Sequence, residues 1–288
     1  MNHRGTLTLL ALLLAVCTAG CSIMPFEDPA EQRAQEQSAA AVKTADVLID
    51  PADLLGDDLT LTQELKNDAG QVLATYSARL PHFTVDEAKK GQSFQRIDDY
   101  YSEQLTALQE DCDSFFAMVK EHYGANWAAA VAQTAFSAEF TYALTDAPEG
   151  YLCVMSTYTM VSDGASEVYR DAEVFLLDSG WRLTLAELFG SHYEEAQPLL
   201  LQGIRDWCAA NGMSADKTAL LALDDFAQSY GMDGDSLLFF LPPFTLSTTD
   251  DEARIIRLWL GDYADLLPEN VTTDSAAPAK NDSPAGAA

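Results

Sequence analysis

Apolar residues that recur every three or four positions predict two long helices in this chain. Between Phe94 and Val119 they form one continuous face, which predicts a helix over residues 92–122. A second run with the same period predicts a helix over residues 192–210, with Pro198 as a point where that helix kinks or restarts. Each helix has polar residues on its other side, so each is expected to pack one face against a sheet.

Shorter segments rich in β-branched and aromatic residues, some with strict apolar–polar alternation, predict strands. The predicted strands cover residues 59–65, 72–80, 136–144, 151–161, 168–177, 237–241 and 254–260. A third, shorter helix is predicted over residues 216–223. Tight turns such as 178–180 separate neighbouring strands, so successive strands are expected to pair antiparallel. The clusters together predict an α+β fold with antiparallel sheets packed against two long helices.

Composition divides the chain into a folded body with polar flanks. Residues 1–20 combine a basic tip, a short apolar run and small residues, which is typical of an export signal. Residues 21–53 are rich in Ala, Gln, Glu and Pro and predict a flexible linker. The body is predicted to contain an N-terminal α+β subdomain at 54–165 and a C-terminal one at 166–267. Residues 268–288 predict a disordered tail.

Cys21 directly follows the small residues Thr18-Ala19-Gly20, an order that resembles a bacterial lipobox. On that resemblance, Cys21 becomes the mature N-terminus and carries a lipid that anchors the protein to the cell membrane, facing outside the cytoplasm. The preceding apolar run is about half the roughly 20 residues that a spanning helix needs. The alternative is an ordinary cleaved signal followed by a chance cysteine.

The net charge of the chain argues against some classes of binding partner and favours others. Removal of residues 1–20 takes away Arg4 and leaves 15 Lys and Arg against 45 Asp and Glu, a formal charge of −30. Phosphate binding needs basic patches, so nucleic acid is not an expected partner, and a lipid rather than charge must hold the protein at a membrane. An acidic surface favours cationic partners, although many exported proteins are acidic only to stay dispersed.

Motifs for catalysis and for metal binding are missing from the sequence. The histidines match no zinc spacing, and no G-x-S-x-G elbow occurs. The cysteines of the body match no metal motif, and buried free thiols are favoured over a single disulfide. The histidines are His82, His122 and His192, and the cysteines are Cys112, Cys153 and Cys208. We therefore expect no cofactor, no metal ion and no catalytic residue.

Four aromatic residues have the chemistry of a sugar-binding platform, namely Trp181, Trp207, Trp259 and Tyr263. Their periodic apolar neighbours favour core positions instead. Phe239 and Trp259 in particular are expected to be core residues of two late strands. Adjacent carboxylates are too frequent among 45 acidic residues to indicate a glycosidase.

Two stretches resemble a known family of extracytoplasmic domains of unknown function. Residues 172–189 read A-E-V-F-L-L-D-S-G-W-R-L-T-L-A-E-L-F, similar to that family's strand, turn and (R/K)-L-T-L-x-E-L-F segment. Residues 234–244 read G-D-S-L-L-F-F-L-P-P-F, similar to its closing strand L-x-F-x-F-P-P-Y, with Phe244 where the family often has Tyr. The family occurs in the outer part of the anti-sigma-V factor and ahead of the catalytic domain in some peptidoglycan deacetylases.

The resemblance implies a binding module, because the matching motifs are structural rather than catalytic. In the anti-sigma-V factor the equivalent region looks like a receptor for lysozyme, a cationic enzyme. We expect a non-catalytic envelope lipoprotein that binds a protein or a cell-wall ligand, with Asp250, Asp251 and Glu252 as the local candidate for contact. The alternative is a peptidoglycan-directed hydrolase, which a strongly perturbed carboxylate pair in a deep cleft would favour.

Overall fold

The predicted α+β class is confirmed by the computed structural model, which combines two sheets with helices. The structure describes residues 51–84, 92–129, 136–162, 164–268 and 271. The predicted linker lies almost wholly outside these residues, and so do the export signal and Cys21. Among the described helices, none combines the length and the apolar character that a membrane span requires.

The elements follow the predicted order closely. The strands are β1 (Leu59–Lys66), β2 (Val72–Leu80), β3 (Phe136–Leu144), β4 (Tyr151–Ser162), β5 (Ala165–Leu176), β6 (Tyr230–Asp233), β7 (Ser236–Leu241) and β8 (Arg254–Trp259). The α-helices are α1 (Gln92–Tyr123), α2 (Leu185–Phe189), α3 (Tyr193–Ala210), α4 (Ala215–Ala219) and α5 (Asp224–Ala227). Short 3-10 helices are Pro51–Leu54, Gly124–Ala129, Gly190–His192 and Leu260–Leu266.

The strands form one sheet in the order β1-β2-β3-β4-β5 and a second in the order β6-β7-β8. Every pair in these sheets is antiparallel except β2 and β3, which run parallel. A parallel pair needs a long crossover, and α1 lies in the connection between these two strands. The connection through α1 therefore allows β2 and β3 to run parallel, while the other strand pairs in the two sheets are antiparallel.

Strands β4 and β5 lie between two apolar cores. On one face, Cys153, Ala172 and Val174 belong to the core built from the second sheet and α3. On the other face, the ring of Phe175 packs against Tyr101 of α1 at 5.9 Å between centroids. Because successive side chains of a strand point to opposite faces, alternate residues of β5 contribute to the two cores. The layers at this point are α1, the first sheet, the second sheet and α3.

Helix α1 crosses the first sheet from β5 to β3. Near its start, the guanidinium of Arg96 donates to the carbonyl oxygen of Ser179 at 2.6 Å and stacks on Trp181, with 4.1 Å from Cζ to the ring centroid. In its middle, the Tyr76 hydroxyl of β2 donates to Asp111 at 2.9 Å. At its end, His122 lies edge-on to Phe136 of β3. The helix thus connects strands that are distant in the sheet.

The free edge of β5 is covered by the end of the first resembling segment and by residues 251–253 of the loop before β8. The amide of Leu183 donates to the carbonyl of Val174 at 2.7 Å, beside the buried half of the strand. Nearer the start of β5, the Val168 amide donates to the Asp251 carbonyl at 2.8 Å. An uncovered edge strand invites pairing with other chains, so these contacts protect the sheet.

The (R/K)-L-T-L-x-E-L-F segment owes its pattern to a helix start. Thr184 is the N-cap of α2: its hydroxyl accepts from the amide of Glu187, whose carboxylate accepts from the Thr184 amide at 2.8 Å. This reciprocal arrangement is a capping box, which satisfies amides that the first turn leaves unpaired. Leu185 and Leu188 then point into the core, at 0% and 1% exposure. The motif is structural, as the sequence indicated.

Two predictions of secondary structure differ from the structure. Strand β6 was not predicted, because its four residues are too few to show a period. Of the helix predicted over 216–223, only the part up to Ala219 is helical, in α4, and α5 begins at Asp224, beyond the predicted range.

The predicted subdomain boundary at 165/166 falls at the start of β5, a strand that pairs with β4 from Tyr151↔Leu176 to Ser162↔Ala165.

Two predictions of burial also differ from the structure. Val271 belongs to the predicted tail, yet its side chain is fully buried in the core with Leu267. Phe239 is buried at 0% exposure as expected, but Trp259 is half-buried. In β8 the residues Ile256 and Leu258 face the core, so the alternation places Trp259 on the opposite face.

We predict that Gly180→Ala lowers the free energy of unfolding by about 2–5 kcal/mol. Gly180 has a φ of 73°, and a Cβ there would lie 2.1 Å from the carbonyl oxygen of Ser93 in α1. A positive φ costs about 1–2 kcal/mol for an L-residue, and overpacking adds about 1–3 kcal/mol. Urea denaturation followed by circular dichroism measures the loss.

Gly70→Ala is the matched control, because Gly70 has a φ of 81° but nothing lies within 4 Å of the added Cβ. It should lose only the backbone contribution, about 1–2 kcal/mol. Equal losses in the two variants would contradict the docking of α1 on the Gly180 turn.

Candidate functional site

The first of the three acidic residues expected to contact a partner is buried. Asp250 has 7% of its surface exposed, and its Oδ1 accepts from Nε and Nη2 of Arg254 at 2.9 and 2.5 Å. Its carbonyl oxygen also accepts from the amide of Phe244 at 2.5 Å. Phe244 has a φ of 61°, so this contact fixes a strained turn after β7. Asp250 therefore holds the loop together from inside.

The other two acidic residues lie at the edge of β5. The Glu252 carboxylate accepts from Nη2 of Arg170, which is on β5 and whose Nη1 donates to the Ala253 carbonyl at 2.9 Å. Asp251 is exposed, while its backbone carbonyl pairs with β5. The structure thus brings the three predicted residues together, but two of the three carboxylates already have an arginine partner.

These ion pairs lie in a groove of about 860 Å³ between β5, β8, the end of α3 and the loop before β8. Its charged lining consists of three arginines and two carboxylates: Arg170, Arg254, Arg257, Asp250 and Glu252. The remaining lining residues are Trp207, Ala210, Asn211, Leu246, Ser247, Thr249, Ala253 and Ile255. The lining therefore gathers three arginines in a chain with a net charge of −29, and each of them has an acid partner, since Arg257 pairs with Asp233 outside the lining. We refer to it as the arginine groove.

Two of the three arginines are more exposed than their acid partners, whereas Arg170 is 22% exposed beside a Glu252 side chain that is 46% exposed. The side chain of Arg254 is 53% exposed, whereas that of Asp250 is 6% exposed. Arg257 is 51% exposed and pairs with Asp233 at 2.8 Å, outside the groove lining. A surface charge interacts with a ligand chiefly through its exposed part, so the groove charges that meet solvent are those of Arg254, Arg257 and Glu252.

The four aromatic residues considered as a sugar platform do not lie together. Trp207 lines the arginine groove and is half-buried at the end of α3. Trp181 lies under Arg96, Tyr263 is a core residue at 6% exposure, and Trp259 covers Gly261. Only Trp207 among the four is therefore placed as a wall of this groove.

A second polar cluster lies between β5 and α1. The hydroxyl of Tyr100 donates to Oε1 of Glu173 at 3.1 Å, and the hydroxyl of Ser229 donates to Asp171. Burial, with the nearby charge of Asp171, raises the pKa of Glu173 to about 7, although Arg182 opposes this shift. Burial also raises the pKa of Asp171. The pair is strongly perturbed, as a catalytic pair often is, but neither residue lines the arginine groove.

The hydroxyl of Tyr101 lies within the same packed region. Tyr101 is 2% exposed, and its hydroxyl is buried without a hydrogen-bond partner among the described residues. Burial raises the pKa of this hydroxyl well above its ordinary value, and the charge of Glu173 adds to the shift. Tyr101 consequently stays neutral and adds no charge beside Glu173.

The cysteines and histidines have structural surroundings. Cys112, Cys153 and Cys208 are buried free thiols, which confirms the favoured expectation. His82 pairs with Asp98 at 2.7 Å, and His192 lies on the surface near Glu195. Within the described ranges, no cluster of three or more His, Cys, Asp or Glu side chains has the arrangement of a metal site.

Comparison of the sequence with protein-family models and with curated proteins finds no match. Among solved structures, the fold is similar to a DUF3298 family member from Bacteroides fragilis, with a TM-score of 0.52, 11% identity and coverage of 75% of this chain and 94% of that one. A DUF3298 family protein from Pseudomonas aeruginosa PAO1 gives a TM-score of 0.49 at 11% identity, covering 78% of this chain and 98% of that one.

The similarity to the Bacteroides fragilis protein shows a fold shared with a domain family of unknown function. This agrees, at the level of fold, with the resemblance read from residues 172–189 and 234–244. An identity of 11% carries no residue-level function, so the link to the anti-sigma-V factor stays a prediction.

Sequence reasoning identified the acidic loop but missed the arginines. Arg170, Arg254 and Arg257 lie on two strands that are far apart in sequence, and nothing in their spacing signals convergence. Arg254 and Arg257 are both exposed in β8, but they lie three residues apart and therefore on opposite faces of the strand. The perturbed Glu173 was also missed, because its pKa depends on burial under α1.

We predict that the protein becomes less stable as the pH rises from about 5 to about 8, and that Glu173→Gln weakens this dependence. The pKa of Glu173 is raised from 4.5 to about 7 by folding, so its stabilising protonated state is fully present below pH 4.5 and is lost through about pH 7. A shift from 4.5 to about 7 corresponds to at most about 3.4 kcal/mol. Urea denaturation at each pH measures it.

Glu139→Gln is the control, because Glu139 is exposed on β3. It should leave the pH dependence of the wild type unchanged. A Glu173→Gln variant whose stability follows the same pH curve as the wild type would contradict the buried position of this carboxyl group.

Proposed function

We propose that this protein is a non-catalytic cell-envelope lipoprotein whose arginine groove binds a cell-wall ligand. The observation that carries the proposal is the convergence of Arg170, Arg254 and Arg257 on one groove beside Trp207. Ligand sites typically combine a concave surface and an aromatic wall with a few placed polar groups. The fold shared with a domain family of unknown function is compatible with such a module.

The acids of the groove support binding rather than catalysis. Asp250 and Glu252 are each held by an arginine, Arg254 and Arg170 respectively. These acids therefore serve to orient the arginines.

The N-terminal sequence supports attachment of the protein to a membrane. The lipobox-like order before Cys21 supports lipidation of that cysteine, and a mature charge of −30 makes electrostatic attachment to anionic lipid unfavourable. A lipid at Cys21 would hold the folded body outside the cytoplasmic membrane, on a linker that ends near residue 53. In that position, cell-wall material would surround the folded body.

The test is co-sedimentation of the full-length protein, in mild detergent, with isolated cell-wall sacculi. We expect saturable retention of the wild type and at least about tenfold weaker retention of Arg257→Gln, since hydrogen bonds to charged groups contribute about 1.5–3 kcal/mol. Arg79→Gln is the matched control, because Arg79 is 61% exposed and pairs with Asp58 at 2.6 Å away from the groove. Retention that does not saturate would contradict the proposal.

A cationic protein such as a lysozyme is the second candidate ligand, and the net charge favours it. Charge steering raises association rates and weakens as salt screens it. Of the three predicted contact residues, Asp251 is the exposed one without an ion pair among the described residues, so it is the position to neutralise. A one-to-one complex with lysozyme at physiological salt would support this candidate over the wall ligand.

The perturbed pair of Asp171 and Glu173 favours the alternative of a peptidoglycan-directed hydrolase. That alternative requires release of soluble fragments from sacculi, with a rate that falls by orders of magnitude in Glu173→Gln. Binding without fragment release would support the non-catalytic proposal.

We predict that Cys21→Ala releases the protein from membranes or leaves it unprocessed. The sulfur of Cys21 is the attachment point that a lipobox supplies, and the substitution removes it. Detergent phase separation should place the wild type in the detergent phase and the processed variant in the aqueous phase. Identical partition of both into the aqueous phase would contradict lipidation.

A further inference from the structure

Strand β8 is an edge strand of the second sheet, and one side of its backbone is open. The amide of Leu260 donates to the carbonyl of Asp235, which makes these two residues a hydrogen-bonded pair of the antiparallel ladder. Hydrogen-bonded and non-hydrogen-bonded pairs alternate along such a ladder. The even-numbered residues of β8 therefore bond to β7, and the backbone groups of Ile255, Arg257 and Trp259 point to the other side.

The chain just before β8 uses this same outward side for its contacts with β5. The Ala253 amide donates to the Val168 carbonyl at 2.7 Å, and the Ala253 carbonyl accepts from Nη1 of Arg170 at 2.9 Å. Pairing with β5 ends there, as the bridge between Val168 and Glu252 is an isolated one. In the part of the chain that the structure describes, no hydrogen bond reaches the outward backbone groups of β8.

The arginine groove follows this open edge. Arg254 lies on the face of β8 that carries the core residues Ile256 and Leu258. Ile255 and Arg257 lie on the opposite face, yet they line the groove together with Arg254. A groove that is lined from both faces of an edge strand runs along the edge itself, next to the open amides and carbonyls.

The charged side chains of the groove do not select a ligand by net charge. Each groove arginine already has a carboxylate partner: Arg170 pairs with Glu252, Arg254 with Asp250 and Arg257 with Asp233. The open backbone groups are neutral, and successive outward residues lie about 6.8 Å apart, because a strand rises about 3.4 Å per residue. An extended peptide has amides and carbonyls that can meet such a row, whereas a glycan chain has no backbone amides.

A second copy of this chain does not suit the open edge. Pairing of two β8 edges would bring the exposed arginines of one copy close to those of the other, and each copy has a net charge of −29. Charged residues on an edge strand oppose pairing of identical edges, and like charges across a pair destabilise it. At the proposed location, the peptides of the cell wall are the other source of extended chain.

We infer that the open edge of β8 binds a peptide of the cell wall, held in an extended conformation by the backbone of Ile255 and Arg257. The inference rests on the proposed function, since it names the part of the wall that the same groove binds. Main-chain hydrogen bonds to a strand edge supply affinity, and the side chains along the groove contact those of the peptide.

Co-sedimentation of the full-length protein, in mild detergent, with intact and with peptide-free sacculi tests the inference. An amidase that cleaves the bond between peptide and sugar prepares the second material, so both share the glycan strands. We expect saturable retention on intact sacculi and at least about tenfold weaker retention on the stripped glycan, because the main-chain hydrogen bonds are lost. The peptides that the amidase releases should compete with intact sacculi.

Variants at Ile255 assign the binding to the backbone of β8. Ile255→Pro removes one outward amide, which an edge strand tolerates because the ladder to the neighbouring strand does not use it. Ile255→Val is the matched control, since it keeps the amide and has a side chain of similar size. Ile255→Pro should weaken retention on intact sacculi about fivefold or more, whereas Ile255→Val should bind like the wild type.

A change in the ligand avoids any effect of the proline on folding. Synthetic wall peptides with N-methylated backbone amides lack the donors that pair with the carbonyls of β8. They should fail to displace the wild-type protein from intact sacculi, while the unmodified peptides displace it.

Equal retention on intact and stripped sacculi would overturn the inference and leave the proposed function standing, because the groove would then bind glycan. Retention on neither material would remove both. Equal binding of folded Ile255→Pro and Ile255→Val, or equal competition by N-methylated and unmodified peptides, would also overturn the inference. A dimer in analytical ultracentrifugation that Ile255→Pro dissociates would assign the edge to a second copy instead.

Discussion

The structure depends on burial of β5 on both faces and along its edge. Ala172 and Val174 pack into the core beneath the second sheet, while Phe175 packs against α1 on the other side. The edge that would otherwise be free is covered by residues 181–183 and by the backbone of residues 251–253. A strand enclosed in this way fixes the relative positions of helix, sheet and loop.

The arginine groove is a consequence of that enclosure. The loop after β7 must return to β5 to cover its edge, and this return places Asp250 and Glu252 beside arginines of β8 and β5. The strained turn at Phe244 and the buried carboxylate of Asp250 keep the loop in place. Asp250 and Glu252, which were expected to attract a partner, thus have a structural task, and the exposed charges at the groove are those of Arg254, Arg257 and Glu252.

The raised pKa of Glu173 is a second consequence of the burial of β5. Its position on the α1 face of β5 places a carboxyl group under Tyr100, where burial raises its pKa to about 7. The charge that the group acquires at higher pH opposes packing of α1 against the sheet. The protonation state of Glu173 and the packing of α1 on β5 are therefore linked.

The sequence by itself determined what depends on local pattern. The limits of α1, the meander of β3 to β5 and the capping of α2 by Thr184 follow from periodicity and from residues that interact within one turn. The core position of Phe239 follows in the same way from a strongly apolar strand. These features need no knowledge of distant residues.

The tertiary structure decided what depends on residues far apart in sequence. The parallel pairing of β2 with β3, the burial of Val271 and the convergence of Arg170 with Arg254 and Arg257 have no local signature. Strand β6 forms because a partner strand and a covering core exist, and its few residues show no period alone. Where the local sequence favours no single conformation, packing between distant residues selects one of them. For this reason the groove could not be found from the sequence.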